Sequence, residues 1–410
     1  MTTHNSIPFF FKTFWPLLVW FRIIGIFPCK KVKKEDGSVS LVPVNWKIRL
    51  LSFTIWNCLI LTAVFTCMLI VTNNVDVSLL SFFRPFHISE KSTIDAFLDA
   101  WIEQANIVLL MVVGTFLGLE IHRKAKEICA LYETLSRHYP ISLHNEITRC
   151  RRDIKRKSVM SIIDLTICNI IFVLLFSYAI ACKFKVNFNL DSTNTWLVAF
   201  GVLIFWSTFY LSQFGFYMTF GEFILALYNW TVSLKDNFDE NSHELLQNAQ
   251  ELSSCLRMVS KLFSRCNFYG MLIWLVNLIL IVYRITSLLF SDEKDVIYAL
   301  AYVFMALQHL HFVHNLNCAS QNMINFVQDL RKTIKHTNMT EMKVEWNGKW
   351  ESTSFAKDNV VENLHEFQGF EGEGYFNLGK SFLSSIVTNF LTYLIILIQL
   401  KLTFMTSSFE

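Results

Sequence analysis

A line of polar side chains runs along the last apolar segment of this chain. Its members are separated by 4, 3, 4, 7 and 4 residues, and they are Ser381, Ser385, Thr388, Thr392, Gln399 and Thr403. At 100° per residue this spacing places them on one narrow face of a helix. A helix surrounded by lipid does not keep such a polar line, so this face should contact either a partner helix or water.

The two environments predict different chemistry for this segment. In water, several copies of the helix would line an ion pore, with Ile396 at a hydrophobic constriction and Gln399 near the outer mouth. Against a partner helix, the small hydroxyl residues would instead allow close packing. The spacing alone leaves both interpretations open.

A second set of candidates consists of aromatic and polar residues near one end of the preceding apolar segments. These candidate ligand-binding residues are Trp101, Gln104, Tyr178, Trp206, Tyr283, Arg284, Tyr298 and Tyr302. Arg284 is the most specific, because a charge inside an apolar segment is costly and faces a cavity or a counterion such as Asp99 or Glu103, unless it extends to the membrane surface. The aromatic residues fit either a pocket or the interfacial belt of Trp and Tyr. A pocket of this composition would suit a sugar or another small molecule with polar and aromatic parts.

Metal and catalytic signals are weak in this sequence. His309, His311 and His314 are close enough in the chain to suggest a metal site, but a polar, water-facing helix end explains them equally simply. We find no phosphate-binding loop, nucleophile elbow or paired catalytic carboxylates. The sequence therefore predicts a protein that is not an enzyme and needs no cofactor.

Seven apolar runs are long enough to cross a hydrocarbon core of about 30 Å as helices. They lie near 50–72, 97–121, 159–181, 195–220, 268–290, 296–316 and 381–403. The expected fold is an all-α membrane protein with seven transmembrane helices.

Positive charge predicts the orientation of these helices. Lys and Arg together number eight in 1–49, ten in 122–158, four in 221–267 and seven in 317–380, out of 36 in the chain. The intervening segments are nearly bare of them. Because cytoplasmic loops retain Lys and Arg, the N-terminus should be cytoplasmic and the C-terminus extracellular. G-protein-coupled receptors have the opposite orientation and are excluded.

Composition agrees with an integral membrane protein. Hydrophobic residues make up 53% of the chain, and the formal net charge is only +3, so nucleic acid is not an expected partner. The apolar stretch 7–28 is interrupted by Lys12, Pro16 and Arg22, and we interpret it as an interfacial helix against membrane lipid rather than an eighth span.

The cytoplasmic side should hold most of the polar mass. Apolar positions in 122–158 and 239–267 predict helices that continue from the spans below the membrane and pack together. Residues 338–374 are rich in Glu, Asn, Gly and Ser, and we predict a flexible linker there. The expected units are 1–49 with the interfacial helix, 50–316 as a six-helix ligand-binding region, 317–380 as a cytoplasmic anchor segment and 381–410 as the last helix with a short external tail.

Both ends of the chain carry motifs of a known family. The run from Thr392 to Gln399, Thr-Tyr-Leu-Ile-Ile-Leu-Ile-Gln, resembles the Thr-Tyr, five hydrophobic, Gln-Phe signature that closes insect gustatory receptors. The segment Gly374-Tyr-Phe-Asn-Leu378 resembles that family's element before the final helix, and Pro16 to Pro28 is similar to its N-terminal pattern. The chain departs from the signature at Leu400, where Phe is usual, and at Gly379, where an acidic residue is common.

This resemblance implies a tetrameric ligand-gated cation channel in the plasma membrane, with the last helices around a central pore and the cytoplasmic extensions forming a shared anchor. At the matching positions Gln399 and Leu400 would form the external gate, while Thr392 and Tyr393 would stabilise the pore helix. The resemblance implies a gustatory receptor opened by a small tastant. A homotetramer and a heteromer with related receptors both remain open.

Two other function classes are compatible with seven spans. A zinc-dependent membrane hydrolase would need His in its last span, and 381–403 has none. A secondary transporter would be expected to have paired, Gly- or Pro-interrupted spans, and none is obvious here. The ligand-gated channel is therefore the leading hypothesis.

Overall fold

The structure is a computed structural model. It describes residues 29–33, 39–48, 116–138, 223–238, 243–290, 296–341, 343–346 and 348–407, together with residues 109, 220 and 221. In chain order the elements are strands β1 (Cys29–Lys33) and β2 (Val39–Pro43), helices α1 (Ala125–His138), α2 (His243–Phe290) and α3 (Val296–His336), strands β3 (Lys343–Trp346) and β4 (Lys349–Ser352), helix α4 (Thr353–His365), strands β5 (Glu371–Gly372) and β6 (Phe376–Asn377), and helix α5 (Lys380–Ser407). Residues 116–123 and 223–236 are also helical.

The last three predicted spans are helical throughout. Residues 268–290, 296–316 and 381–403 lie on α2, α3 and α5 respectively, so the prediction of helix is confirmed there. Among the described residues, one helix, Glu244–Thr286, is both long and apolar enough to cross a membrane, and Lys380–Ile396 is a shorter apolar helix. The predicted spans 50–72 and 159–181, and most of 97–121 and 195–220, lie outside the described residues.

Helices α2 and α3 are much longer than a membrane requires. They contain 48 and 41 residues, which at 1.5 Å per residue corresponds to about 72 and 62 Å. A hydrocarbon core is only about 30 Å thick. The prediction that 239–267 leads without a break into the following span is therefore confirmed, since α2 continues from His243 to Phe290.

A shared hydrophobic core joins the polar halves of these helices to α1 and to helical residues 223–236. Its largest buried rings are in contact: Tyr132 and Phe223 have centroids 4.7 Å apart, and Phe220 and Phe263 have centroids 4.9 Å apart. Further core members are Ile128, Leu131, Leu227, Trp230, Leu246, Leu252, Leu256, Val259, Met323, Val327, Leu330 and Ile334. These helical extensions therefore pack together, as the apolar spacing predicted.

Residues 338–374 are an ordered part of this core region, and the prediction of a flexible linker is wrong there. Strands β3 and β4 pair antiparallel, with Trp346 opposite Lys349. The two residues between these strands in the sequence are Asn-Gly, a dipeptide suited to a tight hairpin turn, and Gly348 has the positive φ of 75° that such a turn requires. Trp346, 4% exposed, anchors the hairpin in the core.

Helix α4 follows the hairpin directly and packs on α2 and α3. Ser352 caps it by accepting a hydrogen bond from the Phe355 N–H at 3.2 Å. Its buried positions are Thr353, Ala356, Val360 and Leu364, spaced three or four residues apart. These small and medium-sized side chains are sufficient to pack α4 on the core. The polar residues between them make the helical period hard to recognise in the sequence.

In the part of the chain that the structure describes, three short hairpins accompany the helices, so the predicted all-α fold is incomplete. Strands β1 and β2 pair antiparallel and pack on α1, where the Cys129 thiol donates to Cys29 Sγ at 2.7 Å. Strands β5 and β6 form the third hairpin, immediately before α5. The predicted interfacial helix over 7–28 lies outside the described residues.

Candidate functional site

Helix α5 has one face that packs on its own chain. The partly buried side chains on this face recur every four residues, and they are Phe382, Ile386, Phe390, Leu394 and Ile398. Phe382 and Ile386 pack directly against the core, together with Leu383. An i, i+4 series keeps one side of a helix in contact with its neighbours.

The six residues of the polar line described above lie on the opposite side of α5. They are Ser381, Ser385, Thr388, Thr392, Gln399 and Thr403, and each of them is exposed. At 100° per residue their mean direction is roughly opposite to that of the packing face. The polar face is therefore not covered by the rest of this chain.

Hydroxyl groups on this face are satisfied within the helix. Thr388 Oγ1 donates to the Ser384 carbonyl at 3.0 Å, and Thr392 Oγ1 donates to the Thr388 carbonyl at 3.0 Å. Near the other end, Thr403 Oγ1 donates to the Gln399 carbonyl at 2.9 Å. Each hydroxyl oxygen keeps lone pairs that point away from the helix axis and can accept a hydrogen bond from water or weakly coordinate a cation.

Of the other candidates on α5, Ile396 lies next to the polar face, whereas Tyr393 lies nearer to the packing face. Ile396 is 44% exposed and Tyr393 is 54% exposed. Leu400 also lies on α5, about 100° around the helix from Gln399.

The base of α5 is attached to α2 through residues 370–379, which we call the junction hairpin. The Glu371 N–H donates to Ser260 Oγ at 3.1 Å, and the Glu373 N–H donates to Ser264 Oγ at 2.7 Å. Asn267 Nδ2 donates back to the Glu371 carbonyl at 3.2 Å. The three α2 residues are buried and spaced by four and three, so they form one buried polar stripe on the side of α2 that faces the hairpin.

The same hairpin is attached to α3 where it enters α5. The Gly379 N–H donates to Asn317 Oδ1 at 2.9 Å, and Ser320 Oγ donates to the Leu378 carbonyl at 2.7 Å. Asn317 and Ser320 are both 0% exposed. A further bond joins the Lys380 N–H to Gln321 Oε1 at 3.1 Å. These residues were not singled out by sequence analysis; small polar residues at helical spacing on α2 and α3 are the signal that could have found them.

Three of the predicted ligand-binding residues are in the protein interior. Tyr283 and Arg284 on α2 are 4% and 7% exposed, and Tyr302 on α3 is 6% exposed. Burial inside the chain does not fit a lipid-facing aromatic belt or an arginine extended to the surface. Tyr298 lies on α3 one turn before Tyr302, whereas Trp101, Gln104, Tyr178 and Trp206 lie outside the described residues.

The histidine cluster has contacts on its own helix. His311 Nε2 is 2.8 Å from Asn315 Nδ2, and His314 Nε2 is 3.5 Å from Cys318 Sγ. In the part of the chain that the structure describes, no group of three or more His, Cys, Asp or Glu residues could hold a metal ion.

Residues 15–404 match the family described as 7tm Chemosensory receptor. The chain belongs to this seven-transmembrane chemosensory receptor family. It is therefore a membrane receptor and not an enzyme. The match confirms the family resemblance seen at the two ends of the sequence and the prediction that the protein is not an enzyme.

Solved structures of the same fold agree with this assignment. The receptor is similar to the insect olfactory receptor OR5 from Machilis hrabei in complex with eugenol, with a TM-score of 0.59 and 12% identity, covering 95% of this chain and 98% of that one. It is also similar to the OR5 structure described without eugenol, with a TM-score of 0.58 and 12% identity, covering 94% of this chain and 99% of that one. At this identity the likeness shows the fold alone. No curated protein sequence matches the receptor.

Proposed function

We propose that the receptor is a gustatory receptor that acts as a ligand-gated, non-selective cation channel. The observation that carries this proposal is the arrangement of α5, whose polar face is exposed and lies opposite the face that packs on its own chain. A polar face that its own subunit leaves uncovered is suited to line an aqueous path between subunits.

Four copies with α5 helices around one axis would form the pore, as the resemblance to gustatory receptors implies. Exposed aromatic side chains on the segment that precedes α5 support contacts between copies: Trp350 is 71% exposed, Phe355 is 50% exposed and Tyr375 is 78% exposed. Large aromatic residues are enriched at the buried centres of protein interfaces. Residues 317–380 would then form the shared cytoplasmic anchor in a homotetramer.

Within the pore, Ile396 would form a hydrophobic constriction, and Gln399 with Leu400 would form the gate near the external end. Thr392 would stabilise α5 through its hydroxyl bond to the Thr388 carbonyl at 3.0 Å. Tyr393, which is 54% exposed, would also stabilise the pore helix, as the resemblance implies. The charge distribution of the sequence supports a cytoplasmic N-terminus and an extracellular C-terminus in the plasma membrane.

The ligand would bind among the outer halves of the preceding helices. Buried Tyr283, Arg284 and Tyr302 offer two aromatic rings and a cation inside the protein, and the remaining candidates would complete this pocket: Trp101, Gln104, Tyr178, Trp206 and Tyr298. A neighbour of the same fold was solved with eugenol, a small aromatic molecule. The proposed tastant is a sugar or another small molecule with polar and aromatic parts.

Expression of the full chain alone, with whole-cell recording, tests this proposal. The probes are glucose, fructose, trehalose and eugenol, applied to cells in which the receptor is detected at the surface. The proposal expects a cation current evoked by at least one probe and absent from untransfected cells. Purified, folded receptor in planar bilayers that passes no current with any of them contradicts it.

A further inference from the structure

Backbone groups of the junction hairpin have no sheet to pair with beyond their own two short strands. Strand β5 has two residues and β6 has two residues. Buried N–H and C=O groups must nevertheless find partners, because leaving one unpaired costs about 1–3 kcal/mol. In this receptor the partners are side chains of the two long helices, so the hairpin is bound on both sides.

We infer that the polar residues facing the junction hairpin fix the base of α5 as the pivot of the pore helix. Those residues are Ser260, Ser264 and Asn267 on α2, and Asn317, Ser320 and Gln321 on α3. This inference rests on the proposed channel function, and it assigns to these six residues a positioning role in gating.

Contacts with the core become fewer along α5, as expected for a helix that pivots at its base, although Phe390, Leu394 and Ile398 are still partly buried. The hydrogen bonds end at Lys380, and Phe382, Leu383 and Ile386 still pack against the core. Beyond Ile386 most described side chains are exposed, among them Val387, Thr388 and Leu391. The base is thus bound to its own chain, whereas the part that carries the gate candidates has much less of its surface covered.

Two glycines, one just before the junction hairpin and one at its end, bring the backbone close to α3. Gly369 has φ 118°, and a Cβ at this position would lie 3.0 Å from Ile324 Cδ1 on α3 and 3.2 Å from the Leu378 carbonyl oxygen. A Cβ on Gly379 would lie 3.0 Å from Gln321 Oε1. The backbone therefore approaches α3 as closely as glycine permits, and little free space remains for the hairpin to shift.

The same two helices carry the buried ligand-binding candidates. Arg284 is 17 residues after Asn267 on α2, about 25 Å along the axis, and Asn317 is 15 residues after Tyr302 on α3, about 22 Å. Each helix continues without a break between these points. If the base of α5 is fixed, a small displacement of the outer halves of α2 and α3 tilts α5 about its base and opens the pore. If the base were loose, the whole of α5 would move with α2 and α3, and the pore would stay closed.

Replacing single oxygen atoms tests the pivot in the full-length receptor. Asn317→Ala leaves the buried Gly379 N–H without its acceptor, and Ser264→Ala does the same to the partly buried Glu373 N–H. Each change should raise the probe concentration for half-maximal current about tenfold. The probe is whichever of glucose, fructose, trehalose and eugenol opens the wild-type receptor. Single-channel conductance should stay unchanged, because neither residue lies on the polar face of α5.

Matched controls lie on the same helices. Ser254 and Asn322 are exposed and have no bond to the hairpin in this structure, so Ser254→Ala and Asn322→Ala should leave the half-maximal concentration unchanged. Ser264→Thr keeps the hydroxyl and should restore wild-type sensitivity, a rescue that a loss of folding would not give. If Asn317→Ala does not reach the surface, Ser320→Ala, which removes only the hydroxyl bonded to the Leu378 carbonyl, takes its place.

The outcomes separate the two claims. Sensitivity that shifts in the hairpin-facing variants but not in the controls supports the pivot. Ser264→Ala and Asn317→Ala (or Ser320→Ala in its place) with the sensitivity of the wild type overturn the pivot and leave the channel function intact. A wild type that is folded at the surface and silent to all four probes contradicts the channel function, and the pivot with it.

Discussion

The ring of Phe376 in the junction hairpin stacks on the ring of Phe382 in the first turn of α5, with centroids 4.0 Å apart and planes 10° apart. On its other side, the Phe376 ring occupies the space that a side chain on Gly372 would need. The hairpin and α5 are therefore packed as one unit, and a single added methyl group should disturb both.

Gly372→Ala tests this packing. The new Cβ would overlap the Phe376 ring, and the overpacking should lower the free energy of unfolding by about 1–3 kcal/mol. Thermal unfolding of the purified receptor in detergent measures the change. Gly221→Ala is the matched control, because a Cβ at that helical position meets no atom within 4 Å; it should be neutral or stabilise by about 0.5–1 kcal/mol. Equal midpoints for the two variants would argue against the stacked arrangement.

Arg284 should control ligand sensitivity and not ion conduction. It is 7% exposed on α2, far along the helix from the junction hairpin. Arg284→Gln removes the buried cation of the proposed ligand pocket. The probe concentration for half-maximal current should rise about tenfold or more, and the single-channel conductance should stay unchanged. Concentration–response recordings measure both quantities. Leu300→Ala on α3, where the side chain is 51% exposed, serves as the control and should respond as the wild type does.

A polar substitution at the proposed constriction should open the pore without ligand. Ile396→Asn places an amide where a hydrophobic ring of side chains would exclude water, and wetting should then increase the basal current several-fold. Leu391→Asn is the control, since Leu391 is 49% exposed but lies about 90° from the mean direction of the polar face. Basal current measured before any probe is applied compares the two. A closed, silent Ile396→Asn channel at normal surface density would place the constriction elsewhere.

Sequence patterns predict the parts of the receptor that consist of long apolar or helically periodic segments. Hydropathy and a 3.6-residue period predict the helices at 268–290, 296–316 and 381–403 and the part of α2 that precedes residue 268. Both signals persist over many helical turns. The polar face of α5 was visible for the same reason, because its spacing extends from Ser381 to Thr403.

Short features were missed where few residues carry the signal. The segment from Lys343 to His365 has the composition of a linker, because only Ala356, Val360 and Leu364 are apolar on the buried side of α4. Its Asn and Gly residues are as common in loops as they are in the tight turn between β3 and β4. The role of Asn317 was hidden for a different reason: its partner Gly379 is 62 positions away in the chain, and a side chain to backbone bond leaves no pattern in composition.

Cysteine modification along α5 tests the central claim most directly, that the polar face lines the conduction path. Cysteines replacing Thr388, Thr392 and Gln399, one at a time, should react with a charged methanethiosulfonate reagent and block the evoked current, whereas cysteines replacing Phe390 and Leu394 should not.

Among the native cysteines that the structure describes, one should be replaced before this experiment. Cys318 is partly exposed and should be replaced by Ser. Cys255, which precedes the span 268–290, can stay: burial, with a smaller contribution from Glu251, raises its pKa to about 12, so its reactive thiolate is scarce at neutral pH. Block restricted to the polar positions is the result that our account predicts. Equal block on both faces, or block only at positions 390 and 394, would contradict it.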